Sequence, residues 1–311
     1  MSTSGGSLEI SGHVEKGKSM KYGVISIDAP ESVNDANILI EWAAKQMLGL
    51  GEAAVSVSVF KMPTDEQIDQ LNQCDFVLLP GSTLLAKGDT QSLALAALPK
   101  IKVPKICSGA SAWGPRLPPY TEILKHITPP VGCRDPYTFG LCQMQDIEAM
   151  IIGCPVMHLP QRETTKPDKK FSIVSFGRDE CDVQMEIYRG LYGTKIVALQ
   201  EPGVEAGFAR SMGLDSFNYK DSELVMDYFS RCDAVYSGRL HGILPAISQR
   251  KPICFFGDDK DTRFSLFGLL DIPVHPIING RRFDAIWPLK YGSRVEGITN
   301  NFKRWMKFSG F

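Results

Sequence analysis

The sequence predicts an α/β protein built from two Rossmann-like domains that face a cleft. Three observations carry that reading. Short apolar runs of strand length alternate with amphipathic helical stretches along most of the chain. A charged, proline-containing stretch with no apolar period, QRETTKPDKK at 161–170, interrupts the alternation. Beyond it the alternation starts afresh.

In chain order, residues 1–19 (MSTSGGSLEISGHVEKGKS) are small, polar and aperiodic. They read as an appended leader or a disordered arm, with the ordered protein starting near Met20. The N-terminal domain is expected over 20–165. It opens with a strand at 22–27 and a helix at 34–48 that carries Ile38, Leu39, Trp42 and Met47 on one side. A strand at 55–60, a helix at 65–72 and a strand at 76–79 follow, the last ending at Pro80-Gly81. Further strands are expected at 104–107, closing on Ser108-Gly109, and at 150–152. The C-terminal domain, 166–311, begins with a strand at 172–176 and a helix at 183–192. Strands at 195–200, 234–236 and 252–256 then alternate with helices at 222–231 and 240–249. A short helix at 264–270 and a basic terminal helix over 301–307 complete it. No internal repeat or heptad array is visible.

Composition narrows the function. With 34 Lys and Arg against 35 Asp and Glu, the chain has no electrostatic footprint for nucleic acid. The longest apolar runs are of strand length, far short of the roughly 20 residues a membrane-spanning helix needs. The amino terminus is polar where a secretory signal would be apolar. The eight cysteines form no CxxC pair, which argues against a zinc ribbon or a disulfide framework. Several lie inside apolar strands, where cysteine is a small core residue. A cytoplasmic location follows, with no metal and no resident cofactor expected.

In open α/β sheets ligands bind beyond the carboxyl ends of the strands, so the loops after Ile27, Leu79 and Tyr236 matter most. The last of these holds the strongest local signal, Ser237-Gly238-Arg239-Leu240-His241-Gly242. A strand runs into Ser237-Gly238 and a helix starts near Arg239, so free N–H groups and the positive helix end attract an anion. Arg239 adds a planar fork for carboxylate or phosphate. His241 titrates near neutrality and can act as general acid or base. Gly242 leaves room for a ligand, and Pro245 is read as lying early in the helix, where its missing N–H costs little. The plain structural alternative is a capped helix whose arginine pairs with a nearby carboxylate.

The Ser237–Gly242 motif, followed by Ala246 and by Lys251-Pro252 before the next strand, resembles the signature of the polysaccharide pyruvyl transferase family. Val131-Gly-Cys-Arg134-Asp135-Pro-Tyr-Thr-Phe is similar to that family's Arg-Asp followed by Ser or Thr. Ile151-Ile-Gly-Cys-Pro155 resembles its strand before a short Asp/Cys-Pro turn, and 77–81 and 108–115 stand at its glycine-rich loops. The likeness runs from about Met20 to Leu270.

It implies a GT-B-like fold and transfer of pyruvate from phosphoenolpyruvate to two hydroxyls of a sugar, giving a cyclic ketal. Phosphoenolpyruvate carries two anionic groups, so Arg239 and a second cation, Arg178 at the end of the second domain's first strand, are expected to clamp it. Ser237, Gly238, Leu240 and Gly242 would line the same turn. His241 would protonate the methylene carbon or escort phosphate out. Arg263 stands where the family has lysine, keeping the charge but unable to release a proton. Asp35, in Ser32-Val33-Asn34-Asp35 where the family reads Asn-x-Gly-Asp, would act as base for the sugar hydroxyl or cap its helix. On this acceptor side Gly81 and Ser82, in the altered loop Pro80-Gly81-Ser82-Thr83, and Trp113, in a loop facing the cleft, would meet a saccharide or lipid-linked saccharide. His126 and His158 carry no motif and read as structural.

Two alternatives stay open. One is a GT-B glycosyltransferase using a sugar nucleotide, with Glu201-Pro202-Gly203-Val204-Glu205 supplying the acid for a ribose. The other is a sugar-binding or regulatory relative. The terminal helix, with Lys303, Arg304 and Lys307 beside Trp305, Met306 and Phe308, fits either a peripheral contact at the inner face of the membrane or a tail packed back across the domains.

Overall fold

The structure, a computed structural model, describes residues 20–86, 93–113, 122–163, 170–177, 181–258, 260–276 and 285–311. The expected leader lies outside them. Two parallel sheets form the frame. The first contains β1 (Tyr22–Ser26), β2 (Val55–Ser58), β3 (Phe76–Leu79), β5 (Lys105–Trp113), β6 (Val131–Cys133) and β7 (Ala149–Ile151) in the order β2-β1-β3-β5-β6-β7. The strand β4 (Ser82–Ala86) pairs with β5 outside that path. Helices α1 (Ala36–Met47), α2 (Asp65–Leu71) and α3 (Pro136–Gln143) and two 3-10 segments, Leu93–Lys100 and Pro155–His158, belong to this unit.

The second sheet runs β10-β9-β8-β11-β12-β13. Its strands are β8 (Phe171–Ser175), β9 (Thr194–Leu199), β10 (Asp215–Asn218), β11 (Ala234–Ser237), β12 (Ile253–Phe256) and β13 (Val274–His275). Its helices are α4 (Cys181–Arg189), α5 (Pro202–Ser211), α6 (Ser222–Arg231), α7 (Leu240–Ser248) and α8 (Ser265–Leu269), with a 3-10 turn at Thr262–Phe264. The order is that of a dinucleotide-binding sheet, with β8 central and a reversal between β8 and β11. The first sheet reverses between β1 and β3. In open sheets of this kind such a reversal is where the connecting loops part and ligands bind beyond the strand ends. The loops that follow β1, β3 and β11 are the three the sequence marks, and Arg178 was expected in the loop after β8.

Buried strands read as continuous apolar runs because both faces are covered. β1, β3 and β12 are buried at every residue. Several elements lack so clear a signal. β6 has three residues, β10 is polar, and the two glycines of α5 dilute its period.

The terminal helix α9 (Gly292–Phe308) starts well before 301, the expected first turn. It is anchored in the second unit by Tyr291, whose hydroxyl donates to the Lys251 carbonyl. It then lies against the first unit. Phe302 and Trp305, both fully buried, join Tyr22, Phe76, Ile106 and Ile152 in one cluster. The Trp305 indole donates to the Pro130 carbonyl at 2.9 Å, and the Asn301 amide to Ile151 O at 3.2 Å. His158 is enclosed here. Its Nε2 donates to Ile152 O at 2.5 Å, and its Nδ1 meets the Thr299 hydroxyl at 3.1 Å. Burial pushes its pKa down to about 4, so it is a neutral structural residue. No described helix is long and apolar enough to cross a membrane. The seven cysteines whose side chains are described, all but Cys181, are buried.

A candidate anion site between the two sheets

The turn after β11 is built by its own side chains. The Ser237 hydroxyl accepts from Arg239 N and donates to Arg239 O, both at 2.9 Å. Gly238 is needed because a Cβ there would stand 2.7 Å from Gly177 N, where the β8 loop presses against it. Gly242 is needed for a different reason from the expected ligand access. A Cβ there would meet Ser237 Oγ at 2.1 Å, so the glycine lets the helix seat on its own turn. Leu240 points into the core. It has only backbone to offer a ligand. Arg178 lies outside the described residues.

Arg239 is engaged. Its Nη1 meets Glu201 Oε1 at 2.9 Å, and its Nε meets both Phe176 O at 2.7 Å and Glu205 Oε1 at 2.9 Å. The carboxylate pairing weighed as the structural alternative is therefore present. Glu201 immediately precedes α5, and Glu205, buried within it, also accepts from Gln200 N and Glu201 N.

The less satisfied cation comes from the first sheet. Arg134 follows β6 and is fully buried. Its Nη2 donates to Ser111 Oγ, and its Nε faces Asp135 Oδ2 at 3.5 Å, yet Nη1 has no hydrogen-bond partner. Asp135 holds the assembly together. One oxygen accepts from the Ser111 hydroxyl at 2.8 Å; the other caps α3 through Thr138 N at 2.9 Å. A buried guanidinium with an idle donor is costly unless an anion completes it.

His241 sits among these charges. Its Nε2 is buried without a hydrogen-bond partner. Burial, then Arg134, Arg263 and Arg239, push its pKa down to about 3. The site thus holds a neutral imidazole in a positive field. Arg263 reaches the cluster from the 3-10 turn, doubly bonded to Asp261. Its guanidinium lies 4.5 Å from the centre of the Trp113 ring at the end of β5. Trp113 and Arg263 so join the two sheets.

Other links cross the same seam. Asp35 N donates to Gln200 O at 2.7 Å, and Tyr137 N to Ser265 Oγ at 3.4 Å. Asp35 does not cap α1. Its backbone is helical, and Asn34 Oδ1 takes the Ala36 N–H at 3.0 Å. Asp35 Oδ2 is buried without a partner, and burial raises its pKa against the pull of Lys220. Gly81, at φ +108°, packs against Gly109 O. Ser82 opens β4, and its side chain is outside the described set. Among the described residues no group of three or more His, Cys, Asp or Glu could hold a metal.

Pro245 departs from its expected place. It is the sixth residue of α7, beyond the turn whose N–H groups are free.

Sequence reading missed Arg134 as a site residue although it stood in a quoted motif. A charged residue directly after a buried strand and before an N-capping Asp was the available signal.

Two parallel sheets whose strand-end loops meet at a seam, lined by arginines from both, define a GT-B-like α/β protein with a candidate anion site there. The solved structures agree on the fold. UDP-GlcNAc 2-epimerase from Neisseria meningitidis, bound to UDP-GlcNAc, matches with TM-score 0.52 at 12% identity, covering 93% of this chain and 99% of that one. The UDP-GlcNAc 2-epimerase of Methanocaldococcus jannaschii matches with TM-score 0.51 at 11% identity, over 90% and 93%. No curated protein matches the chain. A family model, polysaccharide pyruvyl transferase, matches residues 16–260, and the chain belongs to that family.

Proposed function

We propose that the protein transfers pyruvate from phosphoenolpyruvate to two hydroxyls of a saccharide, forming a cyclic ketal. The observation that carries this reading is the pair of buried nitrogens without a hydrogen-bond partner, Arg134 Nη1 and His241 Nε2, inside one cluster of arginines. Carboxylate and phosphate together supply the negative charge such a cluster lacks. Arg134 and Arg263 take the anion with Arg239 at its edge; Arg178 is the further cation of the donor side.

The neutral state of His241 fits a proton carrier that is charged by its substrate. A bound anion offsets the field of the arginines and raises the proton affinity of the ring. The ring then delivers its proton to the methylene carbon as the first sugar hydroxyl adds to the adjacent carbon. Phosphate leaves and the second hydroxyl closes the ketal. Of the two hydroxyl protons, one restores His241; the other is taken by Asp35, the base for its hydroxyl, and passed to the departing phosphate, so Asp35 ends as it began. The Asp35 Oδ2 is buried and burial raises the pKa of the carboxyl, which suits it to hold that proton in passing. Trp113, at the end of β5, offers a face for the sugar, and Gly81 and Ser82, at the start of the neighbouring β4 segment, line the same acceptor side. A lipid-linked acceptor suits the exposed Lys303, Arg304, Lys307 and Phe308 of α9, which would rest on an anionic membrane at its cytoplasmic face.

Thermal-shift titration with phosphoenolpyruvate, UDP-sugars and CMP-sugars tests the donor, because a ligand that binds the folded state raises its melting temperature. Phosphoenolpyruvate should stabilise and sustain phosphate release with acceptor. Stabilisation by a nucleotide sugar alone would replace this reading with a glycosyltransferase. His241→Ala should retain donor binding and lose turnover, whereas Arg134→Ala and Arg239→Ala should weaken binding.

A further inference from the structure

In an α-helix each carbonyl accepts from the N–H four residues on. For His241 that residue is Pro245, which has no N–H and whose ring crowds the same carbonyl. The carbonyl is nevertheless bonded. Tyr219, just past the end of β10, is fully buried, and its hydroxyl donates to His241 O at 3.1 Å. Its ring lies stacked on Phe217, 6.3 Å between centres, so the hydroxyl is delivered from a packed position. Two local irregularities thus cancel: a proline where a donor is needed, and a buried phenol that needs an acceptor.

We propose that Tyr219 is a positioning residue for His241: its hydroxyl replaces the helical N–H that Pro245 lacks, and so fixes the backbone from which the imidazole projects into the arginine cluster. Tyr219 touches none of the reacting atoms. The inference rests on the reading of His241 as the proton carrier.

The test uses Tyr219→Phe, Pro245→Ala and the double variant in the full chain. Alanine at 245 restores the missing N–H, so it should rescue what Tyr219→Phe loses. A general loss of packing would show no such rescue. The first readout needs no substrate: NMR titration of the histidine rings, with the His241 signals assigned by their loss in His241→Asn. Tyr219→Phe should move the His241 resonances and their titration while those of His126 and His158 stay in place. The double variant should return them towards wild type. The second readout is turnover with phosphoenolpyruvate. Tyr219→Phe should lower kcat about tenfold with KM for phosphoenolpyruvate within about twofold, the scale of one buried hydrogen bond. The double variant should recover most of that loss.

Unmoved His241 signals in Tyr219→Phe, or a double variant no nearer wild type than the single one, would overturn the proposal. Should Tyr219→Phe fail to fold while the double variant folds, the rescue itself supports it. If neither folds, amide exchange at residue 245 in Pro245→Ala decides. A protected amide supports the proposal, and an unprotected one refutes it. A ring that moves and returns in a protein without phosphoenolpyruvate turnover would leave the positioning role standing and sink the functional reading alone.

Discussion

Replacing His241 by Gln should flatten the dependence of stability on pH. The folded-state pKa values of His241 and His158 are pushed down from 6.5 to about 3 and about 4. Below pH 6.5 the unfolded chain therefore binds protons that the folded chain refuses, so stability present above that pH is lost as pH falls. Between pH 7 and pH 5 an unfolded imidazole becomes almost fully protonated while the buried one stays neutral. The loss is about 2 kcal/mol for each histidine, at 1.36 kcal/mol per pH unit once titration is complete. Urea unfolding at both pH values measures it. In His241→Gln the difference between pH 7 and pH 5 should shrink by about 2 kcal/mol relative to wild type, leaving the His158 share intact. An unchanged difference, within about 0.5 kcal/mol, would refute the argument. It would mean that burial and the surrounding arginines do not keep His241 neutral. Saturating phosphoenolpyruvate should flatten the wild-type curve in the same sense, since it raises the His241 pKa.

Arg134→Met removes the arginine that acts most strongly on His241, and NMR titration should find the ring moved up towards 6.5. Trp113→Ala deprives the Arg263 guanidinium of its aromatic face and should weaken phosphoenolpyruvate binding by about three- to tenfold in calorimetry, the range of a partly exposed cation–π contact. Gly242→Ala places a methyl against Ser237 and should cost about 1–3 kcal/mol in urea unfolding, together with the loss of donor binding.

Much of the frame was legible because parallel strands covered on both faces must be apolar throughout, as in the FVLL of β3 and the ICFF of β12. The turn at Ser237–Gly242 was legible for a local reason, since its serine and glycines shape one another over six residues. What sequence could not supply were partners brought from afar. Nothing near Arg239 announces that Glu201 and Glu205 will occupy it. Nothing near His241 announces Arg134, 107 positions earlier, or the hydroxyl of Tyr219. These contacts exist because two strand-end loops of different sheets meet, and that meeting is written in no single segment. Pro245 is instructive in the other direction. Its residue type was plain, but its meaning turned on which residue opened the helix, and helix starts are the least certain part of any pattern.

The course of α9 bears on how the molecule is made. Tyr22, Phe76, Ile106 and Ile152 are synthesised early, yet Phe302 and Trp305, which cover them, leave the ribosome only after the entire second sheet. During that interval the nascent first unit presents an uncovered aromatic face, the kind of surface to which holding chaperones bind. Its maturation is thereby tied to completion of the second unit. A chain stalled before residue 292 would carry both sheets and still lack a finished core.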